Sequence, residues 1–465
     1  MARRHLLISL PHPGRRALLG GLLAGAAFSG PAPALARLFA VERRNAETFT
    51  LPNGLQAVVL PSKRAPIVTQ MLVYKVGSAD ETFGHTGVAH FLEHMMFKGT
   101  ERVPSGEFSR IVSRHGGRDN AYTTFDSTGY HQTVAAERLE LVMRMEAERM
   151  TGLRFTEREV VTERQVVLEE RRTRIENVPS ALLDEAVREQ LYGRHKPYGM
   201  PVIGYPDDIK RLGYNDLMGF YRRHYAPNNA VLIVAGDTTP EAVRKLAERY
   251  YGPVANRRVE PRRRPTHGAT DLPQKTTRAD PRVVEPRWSK LWLAPSYRVG
   301  ETRHAYALQV LSRLFGGSET SRLWRALVDD GKVGLSAWAS YSPSSLGLTS
   351  FDIGVHPAPQ RTIAEIEGAV GDQMKRLLDG GVTAEEVERA QNQLLAAAIY
   401  SQDSLASGPR IYGTALSTGS TVADVDAWPQ RISEVTPAQV QAAAQHVWRD
   451  DGAVTALLAP AEGMR

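Results

Sequence analysis

The apolar and polar positions of the chain fall into two rounds of one order, strands first and long helices after. Apolar residues from Phe49 to Leu60 flank the turn residues Pro52-Asn53-Gly54, which predicts a hairpin with Leu55–Leu60 as its second strand. Ile67–Val76 is a β-branched run of strand type, and the Gly- and Asp-rich stretch Gly77–Gly84 is a loop. Beyond it, Val88, Phe91, Leu92, Met95 and Met96 recur at helical spacing and form a buried stripe. A short helix is expected after Pro104-Ser105, with Ser105 as its cap. Strands follow around Ala121–Phe125 and Tyr130–Val134, then helices over Glu137–Met150, Glu157–Ile175, Ser180–Leu191 and Tyr214–His224. The continuous apolar run Ala230–Ala235 reads as a buried strand, and Pro240–Tyr250 closes the round as a helix.

Residues 256–287 break the pattern. Arg257, Arg258, Arg262, Arg263 and Arg264 are mixed with Pro261, Pro265, Pro273, Pro281 and Pro286, the composition of a solvated linker. The order then repeats: strand Trp288–Ala294, helix Arg303–Phe315, helix Ser321–Val328, strands near Leu335–Tyr341 and Leu348–Val355. Long helices run over Thr362–Leu378 and Ala384–Gln402, followed by helix Pro437–Trp448 and strand Ala453–Leu458. The expected fold class is α+β, with two homologous domains at 37–255 and 288–465, each a mixed or antiparallel β-sheet covered by helices.

Composition narrows the chemistry. The chain has no cysteine, so disulfides, thiolate metal sites and a cysteine nucleophile are excluded, and a metal would have to be held by His and carboxylates. The N-terminus carries Arg3, Arg4, Arg15 and Arg16, a small-residue apolar run from Ala17 to Phe28, and Ala34-Leu35-Ala36 as a cleavage pattern. Residues 1–36 are therefore expected to be a signal peptide, with Arg15-Arg16 before Ala17-Leu18-Leu19 resembling the twin-arginine type. Export to a bacterial periplasm follows. No later stretch reaches the roughly 18 apolar residues of a membrane helix. The formal net charge is +7, to which the four signal arginines contribute, so it is not the footprint of a nucleic-acid binder.

The chemistry-bearing residues sit on the first apolar-striped helix. His90 and His94 are four apart, on one face, a turn above each other, and can share a metal ion. Glu93 lies at the edge of that face, placed to reach a metal-held water without being a ligand. The pattern H-x-x-E-H is the inverse of H-E-x-x-H. A catalytic zinc needs a third protein ligand, and a carboxylate is the type available. Glu163 and Glu170 lie on one face of the helix 157–175, while Glu169 points roughly 100° away. Spacing alone does not choose among the three.

The segment 85–100, together with Glu163-Arg-Gln-Val-Val-Leu-Glu-Glu170, resembles the pitrilysin/insulinase family of zinc metallopeptidases, and most closely its mitochondrial-processing-peptidase-like branch. Gly116-Gly117 with Asn120-Ala121-Tyr122-Thr123, and Tyr225-Ala-Pro-Asn-Asn-Ala230 running into Val234-Ala-Gly-Asp237, extend the likeness over nearly all of the mature chain. The resemblance implies one Zn²⁺ per chain, held by His90, His94 and Glu170. It implies Glu163 as the partner that orients a histidine ligand and Glu93 as the general base. It also implies that Asn120, Ala121 and Tyr122 form a strand that receives the substrate backbone by β-augmentation. The activity implied is endopeptidase action on short or unfolded peptides.

The second half departs from the family. Its helix keeps only His304, so this half is expected to be inactive. In many relatives it also carries an arginine and tyrosine that hold the substrate. Here the tyrosine position is Ala337, and the arginine position falls on acidic Asp330 or a neighbour. The expected partner is thus a homologous subunit that lacks H-x-x-E-H and supplies the Arg/Tyr pair, each chain forming half of a clamshell. A non-catalytic structural subunit of the same fold and a self-sufficient homodimeric peptidase are the alternatives.

Overall fold

A computed structural model describes residues 46–269 and 273–461. The expected signal peptide lies outside the described residues.

The first lobe opens with β1 (Glu47–Thr50), β2 (Gln56–Pro61) and β3 (Ile67–Tyr74), then α1 (Val88–Met95) and α2 (Glu107–Arg114). The edge hairpin β4 (Arg118–Thr123) and β5 (Thr128–Ala135) leads to α3 (Leu139–Gly152), α4 (Glu157–Arg171) and α5 (Pro179–Tyr192). The lobe closes with α6 (Pro206–Arg211), α7 (Tyr214–His224), β6 (Ala230–Gly236) and α8 (Pro240–Tyr250). Its sheet runs β1-β2-β6-β3-β5-β4; β2 and β6 are parallel and the other pairs antiparallel.

The second lobe contains β7 (Gln274–Ala279), β8 (Arg287–Ala294), α9 (Ala305–Gly316), β9 (Gly334–Tyr341) and β10 (Thr349–Pro357). Then come α10 (Ile363–Gly380), α11 (Ala384–Tyr400), α12 (Ser407–Ser417), α13 (Val422–Ser433), α14 (Pro437–Val447) and β11 (Val454–Ala459). Its sheet runs β7-β11-β8-β10-β9, again with one parallel pair, β7 with β11. The molecule thus has two α+β lobes, each a mixed sheet wrapped by helices, on one plan.

The lobes exchange a helix. In β3, Val68, Leu72 and Tyr74 face the lobe's own core, while Met71 and Val73 face the other way. Strand β6 does the same with Ala230, Leu232 and Val234 against Val231 and Ile233. That second face is covered by α12, through Tyr412, and Gly413 on the same helix comes so close that an added Cβ would meet Val73 at 2.9 Å. In return, Leu183, Val187, Leu191 and Tyr192 of α5 cover Val454, Ala456 and Leu458 of β11. A strand buried on both faces needs apolar residues at every position, which is why 230–235 shows no alternation.

The arginine-rich stretch departs from the expected solvated connector. Arg258 is 90% exposed, but Arg264 is buried and pairs with Asp80 and Asp126, both at 2.9 Å. Asp126 also accepts from Tyr198 Oη at 2.9 and 3.0 Å and from the Leu346 N–H at 3.1 Å. The β4–β5 turn, the connector and the β9–β10 loop are thereby tied at one carboxylate. The stretch also contains β7, whose residues alternate between half-buried and exposed, as an edge strand does.

Smaller differences have local causes. The metal-motif helix spans only Val88–Met95, and His85–Gly87 precede it. Gly106, in the left-handed conformation at φ 74°, takes the cap position of α2 in place of Ser105. The helix from Glu157 widens into a π-helical turn at Arg172–Glu176, and Arg322–Trp324 does the same over Arg325–Asp330. Helices α6, α12 and α13 were not expected.

Candidate metal centre

The start of α1 is fixed by buried carboxylates. Glu81 accepts the N–H groups of Gly87 and Ala89, both at 2.8 Å, so the free donors of the first turn are satisfied from outside the helix. Burial nevertheless pushes the Glu81 carboxyl well above the ordinary range, against those two bonds. Asp208 on α6 accepts from the Thr86 hydroxyl at 2.6 Å. Gly87, at φ 88°, and Gly204 meet back to back: a Cβ on Gly87 would lie 2.6 Å from the Ile203 carbonyl oxygen. Only glycine allows the helix to begin at this depth.

Helix α1 buries Val88, Ala89, Phe91, Leu92 and Met95 in the core, which leaves His90, Glu93 and His94 on the remaining face. Helix α4 approaches that face. It starts with a capping box, Thr156 with Glu159, and turns Val160, Glu163 and Val167 inward. His94 Nδ1 lies 2.9 Å from Glu163 Oε1, and its Nε2 lies 3.1 Å from Glu170 Oε2. His90 Nε2 is 3.7 Å from Glu170 Oε1, beyond a hydrogen bond. The ligand atoms of His90, His94 and Glu170 all lie within 4.8 Å of one another. Glu169 faces outward and pairs with Arg172 at 2.6 Å.

Three further residues escaped the sequence reading. The Thr123 hydroxyl, at the end of β4, donates to Glu93 Oε2 at 2.5 Å. Lys98 Nζ reaches the free oxygen of Glu163 at 2.5 Å, and Arg174 reaches Glu170 Oε1 at 2.8 Å. Arg174 is four residues beyond Glu170, a helical step that could have flagged it. Lys98 lies past the end of α1 and meets Glu163 on another helix, so no spacing flags it. Thr123 carries no such signal, since its contact depends on how β4 meets α1.

The charges follow from this geometry. Burial drives His90 down to about 4, with His94 adding to the effect and Glu170 opposing it. Burial also lowers His94, but its bonds to Glu163 and Glu170 prevail and bring it to about 9. Burial raises Glu170, yet the histidines and Arg174 prevail and hold it at about 2. Glu163 is held below the ordinary range by His94 and Lys98 despite burial. Burial raises Glu93, with Thr123 opposing it.

The donor set fits zinc. Two imidazoles and one carboxylate converge from two helices, and the His90 Nε2 in that group makes no good hydrogen bond. The bond from Glu163 to His94 Nδ1 leaves Nε2 facing the common point, the arrangement of a metal-ligating histidine with its outer partner. Asn120, Ala121 and Tyr122 lie on β4, paired with His131, Tyr130 and Gly129 on β5. Strand β4 is the edge of its sheet, so one side of its backbone is unpaired within the sheet. Ala337, buried in β9, and Asp330 belong to the second lobe.

Comparison with known proteins supplies the context. Residues 57–204 match the insulinase (peptidase family M16) domain, and residues 211–394 match the peptidase M16 inactive domain. A zinc protease, PqqE, of Helicobacter pylori is 36% identical over 297 residues, which are 63% of this chain and 66% of that relative, just under two thirds. An uncharacterised zinc protease of Streptomyces coelicolor is 30% identical over 412 residues, 86% of each chain. Among solved structures, a protease from Helicobacter pylori superposes with a TM-score of 0.81 at 26% identity, covering 90% of this chain and 100% of that one. The periplasmic protease PqqL of Escherichia coli shares the fold, with a TM-score of 0.75 at 22% identity over 90% of this chain and 47% of that one. With both family domains matched in order and the His90/His94/Glu170 cluster on the first, the chain belongs to the insulinase family, peptidase family M16, and is a zinc metalloendopeptidase.

Proposed function

We propose that this chain is the catalytic subunit of a periplasmic peptidase that cuts short or unfolded peptides, with one zinc per chain. The observation that carries the reading is the convergence of His90, His94 and Glu170 beside a Glu93 carboxylate held by Thr123. His90, His94 and Glu170 would hold the zinc, which when bound polarises a scissile carbonyl and acidifies water. Glu93 takes the proton of the attacking water and passes it to the leaving amine. Thr123 fixes which carboxylate oxygen of Glu93 faces the site. Glu163, itself neutralised by Lys98, orients His94. The free edge of β4 at Asn120–Tyr122 receives the peptide as an added strand, which selects extended chains.

A partner follows from what the second lobe lacks. Its tyrosine position is Ala337 and the arginine position falls on acidic Asp330 or a neighbour; of the two arginines upstream, Arg322 is engaged with Glu386 at 2.7 Å and Arg325 is exposed. A homologous subunit would then supply the Arg/Tyr pair across a clamshell. The basic and apolar N-terminal segment and the likeness to a periplasmic protease support export. The decisive experiment assays zinc-loaded chain alone and mixed with a homologous chain that lacks H-x-x-E-H and carries the Arg/Tyr pair. Activity only in the mixture is expected, and full activity of the chain alone would remove the heterodimer.

A further inference from the structure

The second lobe repeats the plan of the metal lobe, and a cavity lies beside the position that answers to Glu170. Helices α4 and α11 begin with the same capping box, Thr156 with Glu159 and Thr383 with Glu386. Glu163 and Glu170 lie seven and fourteen residues beyond Thr156, and the residues at those steps beyond Thr383 are Ala390 and Ala397. Helix α9 lies against β9, α11 and α14 as α1 lies against β4, α4 and α7. Ala390 is packed in the core, while Ala397 lines a cavity of about 710 Å³, with Tyr306 and Gln309 of α9 also on its wall. Aromatic rings of Tyr297, Tyr341, Tyr412 and Trp428 line the rest.

Most polar groups of the wall are committed to each other. Gln309 donates to Tyr297 Oη at 2.9 Å and accepts from Trp428 Nε1 at 3.0 Å. Arg431 pairs with Asp424 at 3.0 Å and donates to Tyr306 Oη at 2.6 Å, while Asp426 accepts from Tyr412 Oη at 2.7 Å. Arg298 and Arg410 also line the cavity and are exposed. Among the described residues, neither guanidinium has a hydrogen-bond or ion-pair partner. The cavity therefore offers an aromatic interior and two guanidiniums without ion-pair partners, which outweigh the Asp426 carboxylate held by the neutral Tyr412 hydroxyl and leave a net positive charge. Arg410 stands on the exchanged helix α12, and its charge is felt at Tyr122 and His131 of the β4–β5 edge. Tyr122 of β4 packs against the apolar cluster that contains Tyr412 of the cavity wall, so the site adjoins the strand assigned to the peptide.

We propose that this cavity anchors the C-terminal residue of a peptide, a large apolar or aromatic side chain inside and the α-carboxylate at Arg410 with Arg298. Within a peptide, an apolar side chain and a carboxylate share one residue only at the C-terminus, so this is the segment that satisfies both walls. The assignment rests on the peptidase reading and adds to it a substrate class: peptides ending in residues such as Phe, Leu or Trp with a free carboxylate.

The test uses the full chain carrying Glu93→Gln, so that bound peptide persists, and three fluorescent peptides ending in Phe acid, Phe amide and Gly acid. Anisotropy should show the Phe acid binding at least ~10-fold more tightly than either control, the difference made by one charge-assisted hydrogen bond against the amide and by burial of the ring against the Gly acid. Arg410→Ala, at an exposed position, should abolish the acid-over-amide preference. Ala415→Trp, which fills the cavity, should abolish the Phe-over-Gly preference. A chelator should leave both preferences in place, because the cavity wall holds none of the metal residues. Equal binding of the three peptides, or preferences that survive both substitutions, would overturn the assignment. Failure of the peptidase reading is separate: it would appear as absence of hydrolysis by the unsubstituted zinc-loaded chain both alone and mixed with its homologous partner, with the binding preferences intact.

Discussion

Helices α1 and α9 hold the same place in two lobes of the same plan, and each packs on an edge strand and a long capped helix. Helix α1 turns His90, Glu93 and His94 to a converging carboxylate. Helix α9 turns Tyr306 and Gln309 to an aromatic cavity facing Ala397. Both buried faces are apolar and equivalent in kind. The fold therefore needs only the core face of each helix. The opposite face is free to carry a metal centre in one lobe and a cavity in the other, so chemistry here is a property of a few outward positions.

Substitutions can break or sharpen that contrast, from the largest expected effect downward. Glu93→Gln should lower kcat by roughly 10²–10⁴-fold, the range of a lost general base, while metal analysis still finds one zinc per chain; retained turnover would place the base elsewhere. Glu170→Gln should weaken zinc retention by more than the roughly 10–100-fold cost of losing an outer partner, while Glu169→Gln leaves it unchanged; dialysis against a competing chelator measures both. Leu183→Ala, on α5 where it covers the other lobe's sheet, should cost about 2–5 kcal/mol. Denaturant unfolding followed by probes in both lobes should shift as one transition; two separated transitions would mean that the lobes fold independently. Glu163→Gln should weaken zinc binding by about 10–100-fold. Thr123→Val should leave zinc content intact and lower kcat by roughly 10-fold, in line with one hydrogen bond to a charged group; an unchanged kcat would make that contact incidental.

Much of this was legible because local signals agreed with the final packing. The His90/His94 spacing, the apolar stripe beside it and the caps at Thr156 and Thr383 are each set within one helix. What escaped depends on distant contact. Helix α12 contains Gly408, Pro409 and Gly413, residue types that disfavour a helix, and its small residues make sense only against a sheet of the other lobe. Helix α13 carries Pro429 inside it. Strand β7 has polar residues at every interior position, as an outer strand can. Arg264 looked like its solvated neighbours until Asp80 and Asp126 arrived from elsewhere in the chain. Spacing narrowed the carboxylate opposite the histidines to three candidates and the family resemblance pointed to Glu170; the approach of the two helices brings Glu170, and not Glu169, to the histidines.

The exchange of α5 and α12 also bears on the order of synthesis. Met71, Val73, Val231 and Ile233 form an apolar sheet face whose cover begins only at Ser407. Until that helix leaves the ribosome or the export channel, a chain complete through β6 exposes this face to its surroundings. A nascent first lobe should therefore linger as a chaperone client, and its metal site should acquire zinc stably only after the second lobe has been made.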